Sequence, residues 1–436
     1  MAALGDKFFG QLRQHEGYHL AYDSLVVFIS NGVVGLLYVA THALLGRLMS
    51  PQEDYAIFAG LLALLNVLNV PSGVISTTMA RYVAEVLHRQ DTATWRLLVR
   101  RGLRLTLPLA IGVFVLWSLA SPWFRAELKA PSVAALIMVG ICAFINLFNP
   151  LLGGALQGER RFGWGAVAGI GSAFGRLVFI SVMVALGLGI TWLLGAVAAG
   201  FAVGVLLAWW PLRRAWQGES ADADASLPPA RAVQGYFWNV LCAQFALFLL
   251  VNADMILMAR FLAGEELAAY GRAAMLARIV FFLPMPLAAA MFPRAVTSPH
   301  PRLILGPALF TLAIGLLAAG ALTLVPGLAL RLIYGGAATG PLYIELTRWY
   351  VWAAIPLALL NLLAPYLWAR HATARTLWLV PVCLAYLVAL FFCHQTPLQM
   401  ILCVLAGGAL AVLLLGWLTW HLLRAEASTG AAPAQP

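Results

Sequence analysis

The chain consists of apolar runs about as long as a bilayer crossing, separated by short charge clusters and Pro/Gly breaks. Twelve runs can be placed, near 24–48, 55–78, 105–122, 132–156, 164–187, 190–212, 236–262, 267–291, 304–328, 343–368, 376–393 and 398–423. A helix needs about 20 apolar residues to cross a bilayer, and in lipid every backbone polar group must be satisfied within its own segment. With 62% hydrophobic and 10% charged residues, against about 25% charged in soluble domains, no water-facing surface can be assembled. The expected fold is an all-α polytopic membrane protein of about twelve transmembrane helices. Connections this short leave no room for a sizeable soluble domain.

The formal net charge of +10 would raise the question of nucleic acid in a soluble protein. Here the basic residues cluster between apolar runs, where they set topology and meet anionic headgroups, so the partners expected are membrane lipids and not nucleic acid. With the N-terminus in the cytoplasm, 18 Lys and Arg fall in cytoplasmic segments and 5 in external ones. The positive-inside rule then puts both termini in the cytoplasm of a multi-pass protein of the cell membrane. Residues 1–23 carry Asp6, Lys7, Arg13, Glu16 and Asp23, so the first crossing is expected to act as its own insertion signal. Six arginines between Arg81 and Arg104, with Trp95 and Val99 as apolar anchors, suggest an amphipathic helix lying on the inner face. The five cysteines fall within apolar segments without C-x-x-C spacing, which indicates neither a disulfide framework nor a zinc knuckle.

The longest connection, 213–235, carries Glu219, Asp222, Asp224 and Pro228-Pro229 and has linker composition. It divides the chain into a cytoplasmic N-terminal segment 1–23, an N-lobe 24–212 (helices 1–6), the cytoplasmic linker, a C-lobe 236–423 (helices 7–12) and a cytoplasmic tail 424–436. A constant offset of 213 pairs Arg47 with Arg260, Glu53 with Glu266, Pro71 with Pro284 and Arg81 with Arg294. An even number of crossings per half makes these repeats parallel, two six-helix lobes around a central cavity.

His15-Glu16-Gly17-Tyr18-His19 is a literal H-E-x-x-H, the pattern of a zinc protease. It lacks a third ligand, and Gly17 weakens the helix that would present both imidazoles, so no metal is expected. Gly169 to Gly175 resembles a dinucleotide loop with one residue too many; Gly165/Gly169 and Gly171/Gly175 suit close helix packing in lipid. Neither a cofactor nor a catalytic residue is called for.

Arginine within a crossing costs on the order of 3 kcal/mol on insertion scales and so normally faces a wet cavity or a partner. Arg176 and Arg278 lie near mid-depth, and Arg272 and Arg348 nearer the outer face. All four are candidates for binding an anionic substrate. For Arg348 the rival is pairing with Glu345 one turn away; for Arg176 and Arg278 it is pairing with Asp254, the acid deepest within a crossing. Asp254 either neutralises an arginine or carries a coupling proton. Asn31, Asn66, Asn69, Asn146, Asn149 and Asn361 are further polar residues in apolar runs, each able to bridge helices or line a cavity.

The segments Leu48-Met49-Ser50-Pro51-Gln52-Glu53-Asp54-Tyr55-Ala56-Ile57-Phe58, Leu156-Gln157-Gly158-Glu159-Arg160-Arg161-Phe162, and Asn252-Ala253-Asp254 running to Phe292-Pro293-Arg294 resemble the oligosaccharide flippases. That family belongs to the superfamily of multidrug and toxin extrusion antiporters and lipid II flippases. The resemblance covers most of residues 24–300. It implies a two-lobed, alternating-access transporter moving a polyprenyl-diphosphate-linked oligosaccharide between leaflets for polysaccharide biosynthesis, beside other polysaccharide-assembly proteins, with Asn252, Asp254 and Arg278 at polar positions of the second lobe. The chain lacks two further crossings present in lipid II flippases. A multidrug antiporter is the alternative, and it would prefer acidic cavity residues; an intramembrane zinc protease is the remaining enzyme reading. The charge count generates a test: reporter fusions at Gly218 and in the tail beyond Arg424 should be active on the cytoplasmic side, and activity of both outside would overturn the topology.

Overall fold

A computed structural model describes residues 16–88, 91–216, 230–282, 302–336, 339–370 and 372–429. Among these, every regular element is a helix. The first half contains α1 (Glu16–Leu48), α2 (Gln52–Leu68), α3 (Val70–His88), α4 (Thr92–Glu127), α5 (Val133–Asn146), α6 (Phe148–Gly158), α7 (Phe162–Ala185) and α8 (Ile190–Leu212), followed by a 3-10 turn, Arg213–Trp216. The second contains α9 (Ala230–Phe261), α10 (Gly264–Phe282), α11 (Arg302–Leu324), α12 (Pro326–Tyr334), α13 (Pro341–Ala369), α14 (Thr373–Thr376), α15 (Leu379–Phe392) and α16 (Pro397–Thr429). Ten spans among the described residues are long and apolar enough to cross a membrane, and the bent pair α2–α3 makes an eleventh. The remaining expected crossing, 267–291, is α10 as far as Phe282. The chain is an all-α polytopic membrane protein.

Two of the crossings are broken where proline dictates. At Asn69 the chain bends by 44° between α2 and α3, because Pro71 offers no N–H and its ring crowds the carbonyl of Val67. At the bend Asn69 Nδ2 donates to Leu65 O (2.9 Å) and Ser72 Oγ to Asn69 O (2.6 Å), each a second bond to a carbonyl that already accepts a backbone N–H. Between α5 and α6, Pro150 crowds the carbonyl of Asn146 in the same way, so the break at Leu147 has an asparagine on either side.

The basic stretch Arg81–Arg104 is not one surface helix. It comprises the end of α3 and the start of α4, which Asp91 caps by accepting from Thr94 N at 2.9 Å and from the Thr94 hydroxyl. The Thr94 contacts hold the Asp91 carboxyl below its ordinary range. Trp95 and Val99 are buried in a core cluster of the first half with Val83, Leu152, Leu156 and Leu212, so the apolar anchors face protein.

Of the offset pairs, Arg47 and Arg260 occupy the last turns of α1 and α9, and Glu53 and Glu266 the first turns of α2 and α10. Pro284, Pro293, Arg294, His15, the side chains of His19 and Arg81, and residues 217–229 lie outside the described residues.

The larger core cluster spans both halves, with Leu45, Phe58 and Leu61 meeting Leu250, Met255 and Leu276. Small residues let the backbones approach there: a Cβ on Gly60 of α2 would stand 2.7 Å from Met255 O of α9. Gly60→Leu should therefore overpack the seam, at a cost of about 1–3 kcal/mol, and lower the melting temperature of the purified protein. Gly112→Ala, with nothing within 4 Å of its Cβ position, should leave the melting temperature unchanged.

Candidate functional site

The two halves are tied together at the end of the bundle where α1 finishes and α9 meets α10. Arg47 Nε donates to Ile333 O at 2.8 Å, and its Nη2 to Leu332 O. Lys129 Nζ donates to Leu262 O at 2.7 Å, Gly264 N to Glu53 Oε2 at 3.1 Å, and Arg260 pairs with Glu127. Arg272 is 1% exposed and belongs to the same set. Its Nη2 donates to Gly46 O (3.2 Å) and its Nη1 to Gln52 Oε1 (3.4 Å), which also accepts from Tyr343 Oη (3.0 Å). The rings of Tyr55, Tyr334 and Tyr343 all lie within 6.0 Å of its guanidinium. At the opposite end, Arg214 and Arg161 pair with Glu159, and Arg375 donates to Leu418 O, each within its own half.

Below the tied end, Tyr55 Oη lies 3.2 Å from His42 Nδ1 and 3.3 Å from Tyr334 Oη. The charges of Arg176, from α7, and of Arg278, from α10, both reach His42. Arginines from opposite halves thus act electrostatically on one residue of α1. Arg278 is half-buried and donates through Nη2 to Asn252 Oδ1 (3.0 Å) and Met255 Sδ (2.9 Å). Arg176 is 5% exposed and lies over the ring of Tyr38, 3.5 Å from its centroid. Beside it a cavity of about 270 Å³ opens between α1, α5–α6, α7 and α8, lined by Tyr38, Asn146, Asn149, Ser172 and Phe201 among others.

Asp254 pairs directly with neither arginine. Fully buried, it accepts from Tyr270 Oη at 2.7 Å and from Tyr350 Oη, both on Oδ2, while Oδ1 has no hydrogen-bond partner among the described residues. Arg278 lies within electrostatic reach of it. The three side chains join α9, α10 and α13, a polar staple inside the second half.

The structure joins Arg278 to Asn252, lays Arg176 against Tyr38, and places Arg272 in the tie between the halves. Arg348 is exposed on α13, in a stripe with Glu345, Trp349 and Trp352, about 200° round the helix from buried Tyr350. No ion pair joins it to Glu345 among the described residues. His42 escaped the sequence reading, although an ionisable residue in the first crossing was signal enough. Gly171 packs against Leu207, as the small-residue spacing suggested, but a Cβ at Gly165 would meet nothing within 4 Å and both Gly165 and Gly169 line the cavity. The described residues contain no cluster of three or more metal-ligating side chains.

Solved transporters share this architecture. The chain is similar to a MATE protein in the straight conformation (TM-score 0.68, 17% identity, covering 96% of this chain and 98% of that one). It is similar to a MATE family multidrug resistance transporter of the MOP superfamily in its inward-facing conformation (0.66, 16%, 94% and 100%). A third likeness is to a MOP superfamily transporter from Pyrococcus furiosus, described by the reverse polarity of its binding pocket (0.67, 15%, 95% and 97%). No curated protein matches the sequence. At these identities the likeness is one of fold. The chain belongs to the polysaccharide biosynthesis protein family, whose model matches residues 20–297.

The tyrosine staple yields a stability test. Tyr270→Phe removes one of two donors from a buried carboxylate and should destabilise by about 1–3 kcal/mol. Thermal unfolding of purified Tyr270→Phe, compared with Tyr38→Phe, whose hydroxyl serves no carboxylate, checks it.

Proposed function

We propose that the chain is an alternating-access flippase translocating polyprenyl-diphosphate-linked oligosaccharide units across the cytoplasmic membrane for polysaccharide biosynthesis. The observation that carries this is the pair Arg176 and Arg278: arginines from opposite halves both act electrostatically on His42, and among the described residues neither has a carboxylate within ion-pair distance. Two cations in a low-dielectric interior call for an anionic guest. A diphosphate meets that demand, and guanidinium is the group suited to forked contact with phosphate oxygens.

In this reading the halves are N- and C-lobes, both termini are cytoplasmic, and the tied end faces outward. The structure then corresponds to a state closed to the outside, in which Arg272 and Arg47 hold the lobes shut. The polyprenyl tail stays in lipid while the head group occupies the interior, and transport proceeds by rocking the lobes, with no bond made or broken. Asp254 acts as a packing group of the C-lobe, enclosed by Tyr270 and Tyr350. That enclosure disfavours the multidrug antiporter, which would present an acid to a cationic drug.

Export of glycan by cells whose only copy is the variant, at matched membrane abundance, tests the reading. Losing one charge-assisted bond costs about 1.5–3 kcal/mol, so Arg278→Ala should lower export at least about tenfold. Arg278→Lys, which keeps the charge and loses the fork, should fall between. Full export by both variants would eliminate the mechanism.

A further inference from the structure

The last two helices, α15 and α16, are joined by a short turn, Cys393-His394-Gln395-Thr396. So short a connection makes them an antiparallel pair, and the turn is fixed at both ends. Cys393 N donates to Ala389 O at 2.8 Å, closing α15. Pro397 opens α16, where its missing N–H leaves no bond unmade. Thr396 Oγ1 accepts from Gln399 N (3.3 Å) and Gln399 Oε1 from Gln395 N (3.0 Å), a capping box displaced by one residue.

That frame sets two thiols against each other. Cys393 is exposed at the end of α15, and Cys403 is half-buried in the second turn of α16. Their side chains lie within hydrogen-bond reach of one another. Thiols buried in apolar surroundings are inert, and access selects those that react. Cys142 and Cys383 are buried, whereas Cys393 is accessible and has a second thiol beside it.

The turn also forms part of the seam between the halves. His394 stacks on Phe261 at the end of α9, with ring centroids 4.0 Å apart. With Phe391 it lines a crevice of about 420 Å³ whose facing wall is Ala126, Glu127 and Lys129 of the first half. Two of the ties described above, Arg260 with Glu127 and Lys129 with Leu262 O, border this crevice. A constraint on the turn is therefore a constraint on one wall of the closure.

We infer that Cys393 and Cys403 form a redox-sensitive dithiol, which a small-molecule disulfide oxidises to an internal disulfide that fixes the His394 turn against α9. In the first exchange the Cys393 thiolate attacks one sulfur of the oxidant, forming a mixed disulfide and releasing one thiolate. The Cys403 thiolate then attacks the Cys393 sulfur, breaking the mixed disulfide and releasing the second. The two cysteine protons pass by way of solvent to the released thiolates, so one oxidant is reduced to two thiols while two cysteines become one disulfide. The inference does not rest on the flippase reading: it stands whether or not the chain exports glycan.

The experiment treats the purified full chain, reduced and held in nanodiscs, with oxidised glutathione, then quenches it in denaturant with iodoacetamide for peptide mapping. Cys393 and Cys403 should lose alkylation together and be recovered joined to each other, with no glutathione on either, while Cys142 remains a thiol. Dithiothreitol should restore both. In Cys403→Ser the exchange should stop halfway, leaving glutathione on Cys393. Hydrogen exchange at the His394 and Gln395 amides, a measure of local opening, should be slower in the oxidised wild type than in the reduced one. The wild-type map and exchange rates decide the matter if Cys403→Ser does not fold. The inference is overturned if Cys393 of the wild type stays a thiol, keeps glutathione or joins another cysteine, if Cys403→Ser takes up no glutathione at Cys393, or if oxidation leaves exchange in the turn unchanged.

Discussion

A guanidinium inside a bilayer cannot shed its proton, so the protein must supply something for the charge to face. Three arginines in this chain meet that demand in three ways. Arg272 spends its donors on a backbone carbonyl and a glutamine and is ringed by tyrosines. Arg278 uses an asparagine and a thioether and stays half-buried. Arg176 has a ring on its face and an unmatched edge. The three therefore differ in what they can still bind, although on a hydropathy profile they look alike. The first bonds protein through both terminal nitrogens and leaves Nε unmatched, the second shares its hydrogen bonds with protein, and the third has Nε and Nη2 unmatched among the described residues.

The same demand explains why the interior acid is not simply a counter-ion. Asp254 makes no direct contact with Arg278, although the two lie within electrostatic reach. Two tyrosine hydroxyls hold Oδ2 instead, so the carboxylate is fixed by its own half. The division gives the second half an internal polar staple.

Much of this was legible in the sequence, for reasons that also mark where legibility stops. Apolar runs gave the helices because lipid permits the backbone little else, and Arg176 and Arg272, both marked by lying within such runs, are buried in the structure. The spacing of Arg348 and Glu345 on one helix face suggested a pair, yet spacing says nothing of which way a face looks, and both side chains point outward. Arg272 could not be assigned to a tie, because its surroundings come from α1, the start of α2, α12 and α13, far apart in the chain. The glycine-rich run at 165–175 drew attention by its regularity. Gly200 and Gly204 do the closer packing, but their effect depends on what α7 places opposite. The Arg81–Arg104 stretch read as one basic helix until Asp91 was seen to start a new one.

The ties between the halves have an asymmetry of their own. Arg47, Lys129 and Arg272 donate chiefly to main-chain oxygens: Ile333, Leu332, Leu262 and Gly46. These oxygens lie at or just past the C-terminal ends of α1, α9 and α12, where the last carbonyls of a helix have no intrahelical partner and carry its partial negative charge. A carbonyl is present whatever side chain its residue bears. The acceptor side of this closure is thus insulated from substitution, while the donor side rests on a few long cations. Residues 262, 332 and 333 answer only to their own packing, Leu262 within the core and Ile333 against it, while the ties themselves ask only that the basic residues opposite them persist.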